Sequence, residues 1–198
     1  MMTKDDVLGP LAAARTTEIV VTTMGTVRPW GRHSSSALDF ASADSAMGHA
    51  ADLALGLALA QPSRRVVCLN GDGSMLMSLG TLALATAPPV PNFVLFIVQN
   101  DTYEITGNQP VPGAPRVDFA LLARAAGFPA VHTFDEAAAY RAALPAILAS
   151  PGPTCVVVRT VPGNEPPLSR GSHEEAAYLK DSLAEAAHRL RATLAAGG

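Results

Sequence analysis

Two short runs of oxygen- and amide-bearing residues, Gly71-Asp72-Gly73-Ser74 and Gln99-Asn100-Asp101, each follow an apolar run directly. The apolar runs are Val66–Asn70 (VVCLN) and Phe93–Val98 (FVLFIV). A carboxylate and a side-chain amide oxygen are hard donors of the kind Mg²⁺ takes. The ion holds about six oxygens and usually draws some of them from phosphate and water. Asp72 and Asn100 are therefore the candidate metal ligands. The first run also leads into a helical-looking stretch, so backbone N–H groups and a helix N-terminus would face a bound phosphate. A tight turn into a helix yields Gly-Asp-Gly as well, because glycine tolerates positive φ and aspartate accepts local backbone bonds. That alternative does not require a second polar run after the next strand.

The surrounding elements must bring the two runs together. Glu18–Thr23 reads as a first strand and Ser45–Ala60 as a helix with small residues for close packing. Arg65–Asn70 is the next strand, Ser74–Ala87 a helix stopped by Pro88 and Pro89, and Asn92–Val98 a buried strand. Beyond the loop Gln109–Arg116, Asp118–Gly127 is a helix, Ala130–Phe134 a short strand, Asp135 a cap for a helix through Ala149, and Thr154–Thr160 the last strand. Strands separated by helices predict an α/β fold: a doubly wound, mainly parallel sheet in three α/β/α layers with right-handed crossovers. Ligands of such a sheet bind at the carboxyl ends of the strands, where both polar runs fall. The expected organisation is one domain over 1–198 with a core of about 17–160. A Pro/Gly segment, Val161–Gly171, then leads to a charged helix, His173–Leu194, as an outer brace or assembly arm.

Composition narrows the classes. A 198-residue chain that is 48% hydrophobic can bury a sizeable core, and a net charge of −3 without a dense basic run offers no footprint for nucleic acid or an anionic membrane. Ala51–Ala60 is the longest apolar helical stretch, too short to span a bilayer, and the N-terminus lacks the order of a signal peptide. A cytoplasmic protein is expected. Cys68 and Cys155 lie inside apolar runs, where small buried thiols are favoured over a disulfide, a metal ligand or a nucleophile.

The GDG at 71–73 and QND at 99–101, each in a strand-turn-helix setting, resemble the diphosphate-binding domain of thiamine diphosphate (ThDP) enzymes. MGHA, VVCLNGDGS and YEITGNQP resemble family wording too, most closely the split type seen in sulfopyruvate decarboxylase β subunits and the C-terminal part of phosphonopyruvate decarboxylases. The resemblance implies ThDP and Mg²⁺ as cofactors, with the metal on the side chains of Asp72 and Asn100 and the carbonyl of Thr102. Gln99 departs from the family's usual first Asn without touching the ligand that follows it. Gly71, Gly73, Ser74 and Tyr103 join the cofactor-binding set, as does the turn Met24-Gly25-Thr26, which matches one that helps hold the diphosphate. Met47 matches the apolar residue that wedges beneath the cofactor, with the Ser45 carbonyl on the aminopyrimidine amine. A flexible Met47 acting as core filler is the plain alternative.

The resemblance further implies a separate pyrimidine-binding subunit that supplies a glutamate, hence a hetero-oligomer. The activity implied is non-oxidative loss of carbon dioxide from a 2-oxo acid to give an aldehyde, with Met47, Thr106 and His49 as candidate catalytic residues. A carboligase making acyloins or acetohydroxy acids, or a non-catalytic regulatory subunit keeping the fold, are the alternatives. Thr106 stands where some decarboxylases carry an acid, and Glu104 is one turn off. His49 could relay protons or make a structural bond at a helix start. Arg28, Trp30, Arg32 and His33 could place cations near a substrate carboxylate, or form a solvated loop.

Overall fold

The computed structural model describes residues 1–41 and 47–196. Its first elements are α1 (Lys4–Ala14), β1 (Ile19–Thr22), a 3₁₀ turn over Met24–Thr26, α2 (Val27–His33), β2 (Asp39–Ala41), α3 (Ala50–Ala60) and β3 (Val66–Gly71). There follow α4 (Asp72–Met77), α5 (Thr81–Leu84), β4 (Phe93–Gln99), β5 (Thr102–Tyr103), β6 (Gln109–Pro110) and α6 (Phe119–Ala125). The chain ends with β7 (Ala130–Phe134), α7 (Ala137–Ala149), β8 (Thr154–Arg159) and α8 (Leu183–Ala196).

Six strands form one parallel sheet in the order β2-β1-β3-β4-β8-β7, and β5 pairs with β6 in a small antiparallel ribbon. Successive strand residues alternate between two cores, as the period of an extended chain requires. Ile19, Val21, Cys68, Leu95 and Ile97 pack with α3 and α6 on one face. Val20, Leu69, Val94 and Phe96 pack with α1, α2 and α7 on the other. Burial on both faces explains why β3 and β4 read as continuous apolar runs. The expected doubly wound α/β sheet is present. The chain winds outward from β1 to β2, then crosses to β3 on the other side of β1, so loops leaving β1 and β3 diverge. This is the place where such sheets open a crevice.

Several expected boundaries are corrected. The expectation that the fold begins with a strand missed α1, although Thr3 and Asp6 form a capping box, each side chain bonding the other's backbone N–H (2.9 and 3.2 Å). Gly9 and Pro10 inside the helix hid it. Residues 27–33 are helix rather than loop, and the short edge strand β2 was not anticipated. The single helix expected over Ser74–Ala87 is two, because Ser78 turns its hydroxyl to the Gly48 carbonyl at the end of α4. Helix α3 starts at Ala50, not Ser45, and Ser45 itself lies outside the described residues. Glu136, not Asp135, occupies the N-cap of α7, without a side-chain cap bond.

The charged helix expected from His173 starts at Leu183, where Ser182 and Glu185 exchange capping bonds. Residues ahead of it form an irregular strap with one 3₁₀ turn, and α8 packs on β2 through Phe40, Ala186 and Leu190 as a brace. Both cysteines are free and buried, and burial pushes the Cys155 thiol up to about 12 and the Cys68 thiol further in the same direction. Among the described residues no helix is long and apolar enough to cross a membrane.

Candidate functional site

The turns after β1, β3 and β4 enclose a cavity of about 330 Å³ at the carboxyl edge of the sheet. The β3–β4 register, which sets Gly71 beside Val98, puts both polar runs at the same height. Gly25, Thr26, Met47, Gly71, Asp72, Gly73, Ser74, Asn100, Thr102, Tyr103 and Thr106 all line this cavity. His49 does not: it is exposed ahead of α3, its Nδ1 lying 2.8 Å from Asp52 Oδ2. A structural bond at a helix start is what the imidazole makes.

Asp72 is 2% exposed, and its hydrogen-bond partners here are backbone amides. Oδ1 accepts from Gly73 N–H (2.8 Å), and Oδ2 accepts from Asn100 N–H (3.2 Å) and Asp101 N–H (2.6 Å). Both β4-loop amides reach Asp72 because Asp101 adopts a left-handed φ of 61°, tolerated by aspartate and steadied by Gln99 Nε2 donating to Asp101 Oδ1 (2.9 Å). That is the physical work of the unusual Gln99. Burial raises the Asp72 carboxyl above the ordinary carboxylate range, against the lowering pull of the amides. A cation placed beside it would reverse that balance.

Asn100 Oδ1 accepts from Thr102 N–H (3.1 Å), and its Nδ2 donates to Glu104 Oε2 (3.0 Å). Ser74 Oγ accepts from Gly48 N–H (3.0 Å), which leaves the hydroxyl proton available to an anion. The Tyr103 ring lies against Gly73, where an added Cβ would come within 2.4 Å of it, whereas no atom lies within 4 Å of the Cβ position at Gly71. Gly48 (φ 98°) and Met24 (φ 48°) hold left-handed backbone at the rim. Glycine adopts this backbone freely, but at Met24, which lines the cavity, it is strained, and such strain gathers at ligand sites. The Thr26 hydroxyl lies within hydrogen-bond distance of the carbonyls of Thr23 (2.8 Å) and Leu69 (2.9 Å), so its proton, shared between them, ties the turn after β1 to β3.

Sequence reasoning missed Lys4, which reaches the cavity from α1 and pairs there with buried Glu104. The cations after β1, read either as substrate-facing or as a solvated loop, form neither. Arg28 pairs with Glu174 (2.6 Å), Arg32 with Glu165 (2.9 Å) and His33 with Asp5 (2.8 Å), while Trp30 is fully buried. These groups fasten α2 to the strap and to α1, and none lines the cavity. Their partners lie far along the chain, where local reading has no access.

The Arg28 guanidinium, helped by the Ser169 hydroxyl, holds the Glu174 carboxyl below its ordinary range. Stability from a lowered carboxylate is present above the unfolded value and lost as pH falls through the folded one. Glu174→Gln should cost about 1.5–3 kcal/mol at neutral pH, the scale of a charge-assisted hydrogen bond. In thermal melts from about pH 6 to about pH 3 the unsubstituted chain should lose more stability than the variant. Parallel curves would remove the pair from the pH response.

Among the described residues no cluster of three or more His, Cys, Asp or Glu could hold a metal, so a cation would rest on mixed oxygen donors. Residues 22–158 match the family described as thiamine pyrophosphate enzyme, C-terminal TPP binding domain. The chain belongs to this family. Thiamine pyrophosphate is ThDP, and the cofactor of the domain is ThDP with Mg²⁺. The buried carboxylate without a side-chain cation, the amide and carbonyl oxygens beside it and the glycine-lined turn fit that cofactor.

Among relatives, the chain is 39% identical over 147 residues to phosphonopyruvate decarboxylase from Streptomyces viridochromogenes, covering 74% of this chain and 34% of that protein. It is 39% identical over 118 residues to sulfopyruvate decarboxylase subunit beta from Methanothermobacter thermautotrophicus, covering 60% of each. The chain thus spans between a third and three fifths of these relatives' lengths. The fold is similar to that of a thiamin diphosphate-dependent enzyme from Mycobacterium smegmatis, with a TM-score of 0.70 at 24% identity over 82% of this chain and 32% of that one.

Proposed function

We propose that this chain is the diphosphate-binding subunit of a heteromeric, cytoplasmic ThDP- and Mg²⁺-dependent 2-oxo acid decarboxylase of the sulfopyruvate or phosphonopyruvate type. The product would be an aldehyde and carbon dioxide. The observation that carries this is the meeting of Asp72 and Asn100 at neighbouring strand ends, in a domain whose relatives include a named β subunit. Two free buried thiols suit a reducing compartment.

In this reading the Asp72 and Asn100 side chains and the Thr102 carbonyl ligate Mg²⁺. Gly25, Thr26, Gly71, Gly73 and Ser74 line the turns around the diphosphate, where glycines leave it room and the Ser74 hydroxyl donates to it, and Ser45, outside the described residues, offers its carbonyl to the aminopyrimidine. Tyr103 closes the cavity over Gly73. When bound, ThDP supplies the electron sink that accepts the pair released as carbon dioxide leaves. Met24, Met47, Met77 and Ile105 give the cavity an apolar wall. Thr106, whose hydroxyl donates to Gln109 Oε1 (2.6 Å), must give up that bond to donate at the rim and cannot serve as an acid in place of a carboxyl. A separate pyrimidine-binding subunit would bring the glutamate. The test is carbon dioxide release from 2-oxo acids by the chain combined with such a subunit, ThDP and Mg²⁺.

Met47 is half-buried at the cavity wall and flexible enough to follow a ligand's shape. Met47→Ala should lower turnover about 10–100-fold, because the bent cofactor geometry loosens. Cofactor affinity should stay within about threefold, since the diphosphate contacts persist. Equal turnover in the variant would reduce Met47 to packing.

A further inference from the structure

Glu104 is a side chain with no role in the reading above, yet it is among the most tightly held groups at the site. Its side chain is 2% exposed. Oε2 meets Lys4 Nζ and accepts from Asn100 Nδ2 (3.0 Å), while Oε1 accepts from Glu165 N–H (3.1 Å). The ion pair is seated between two glycines: a Cβ at Gly163 would come within 2.5 Å of Glu104 Oε1, and one at Gly25 within 3.3 Å of Lys4 Nζ.

The consequence falls on Asn100. A side-chain amide has two nearly isosteric ends, and only one of them ligates a cation. A carboxylate only accepts and the Thr102 N–H only donates, so together they permit a single orientation, with Nδ2 toward Glu104 and Oδ1 toward Thr102 N–H. The second lone pair of Oδ1 is then the one left for a metal. Lys4 sets a cation beside the buried carboxylate, which without that partner would cost far more to bury.

We infer that Glu104, held in place by Lys4, is a positioning residue that locks the Asn100 amide with its oxygen toward Mg²⁺. The inference rests on the proposed metal site at Asp72 and Asn100. It makes α1 a part of the cofactor site, and it predicts that the strap carrying Glu165 tightens the same lock.

The test is calorimetric titration of ThDP into the chain assembled with its pyrimidine-binding partner, with Mg²⁺ present. The first variant is Lys4→Met/Glu104→Met, which replaces the ion pair by apolar side chains of similar length, a change that buried pairs commonly tolerate. Loss of the group orienting a metal ligand should weaken Mg²⁺-dependent binding about 10–100-fold. The same double variant is then made with Asn100→Asp, whose two equivalent oxygens need no orienting. There the loss should vanish or reverse, because Glu104 would repel the new carboxylate. Glu104→Asp, which keeps the charge but withdraws it by one methylene, provides the same comparison if the double variant melts early. Equal losses with and without the Asn100→Asp change would show a merely structural pair and overturn the inference, as would unchanged affinity with Asn100 in place. Failure of the unsubstituted assembly to bind ThDP with Mg²⁺, or full binding by its Asp72→Ala variant, would instead overturn the metal site on which it rests.

Discussion

Asp72→Ala should leave a folded chain that no longer binds ThDP in the presence of Mg²⁺. The substitution removes the anionic donor among the proposed ligands, and losing a group that merely orients a ligand already costs about 10–100-fold, so the loss here should exceed about 100-fold. Folding is spared by two opposing effects. The Asn100 and Asp101 amides lose an acceptor, at about 1–3 kcal/mol each where water cannot replace it. A buried carboxylate whose burial disfavours its charge is removed at the same time, and the open cavity admits water to the freed amides. A melting temperature near that of the unsubstituted chain, together with a flat calorimetric trace, is the expected pair of results. Unchanged cofactor affinity would sink the metal assignment. Because the Asp72 carboxyl is raised, protons compete with the metal at higher pH than at an ordinary carboxylate, and affinity should fall early on acidification.

The second large effect concerns the partner. The isolated chain should release almost no carbon dioxide from 2-oxo acids and should gain activity on titration with a pyrimidine-binding subunit. Its residues offer donors for a diphosphate and a metal along one wall of the cavity, formed by the turns after β1, β3 and β4. Clamping the aminopyrimidine and shifting its proton requires a carboxylate facing that wall. Positioned proton transfer contributes about 10²–10⁴-fold by itself, and a closed interface that excludes water adds to it. The comparison is a carbon dioxide assay with ThDP and Mg²⁺, first with the chain alone and then with increasing partner. Full turnover by the chain alone would refute the split arrangement.

The parts of this site that could be read without coordinates are those encoded locally. Asp72 and Asn100 each follow a buried strand within a residue or two, so recognising the strands was enough to put both at one sheet edge. Gly73 was marked as part of the Gly-Asp-Gly run, and the close approach of the Tyr103 ring gives the reason no side chain fits there. What escaped depended on distant partners. Arg28 and Arg32 look like anion binders until Glu174 and Glu165 are seen beside them, and Trp30 looks like a loop residue until the strap covers it. Lys4 could not be connected to Asn100, because Glu104 lies between them and contributes its own tie from Glu165. The break between α4 and α5 was hidden for the same reason, since the Gly48 carbonyl that captures Ser78 lies across the cavity rim.

The first residues of the chain carry a consequence for the order of assembly. Met2 is buried, bridges Thr160 and accepts from Val161 N–H (2.8 Å), and Lys4 follows it into the cavity. Loop closure over such a separation is deferred until nearer contacts have formed. During synthesis, then, Met2 and Lys4 precede β8 by a long stretch of chain and should find their seat only once β8 has joined β4. A nascent chain can lay down β1, β3 and β4 with both polar turns in register while the Lys4 side of the cavity is still open.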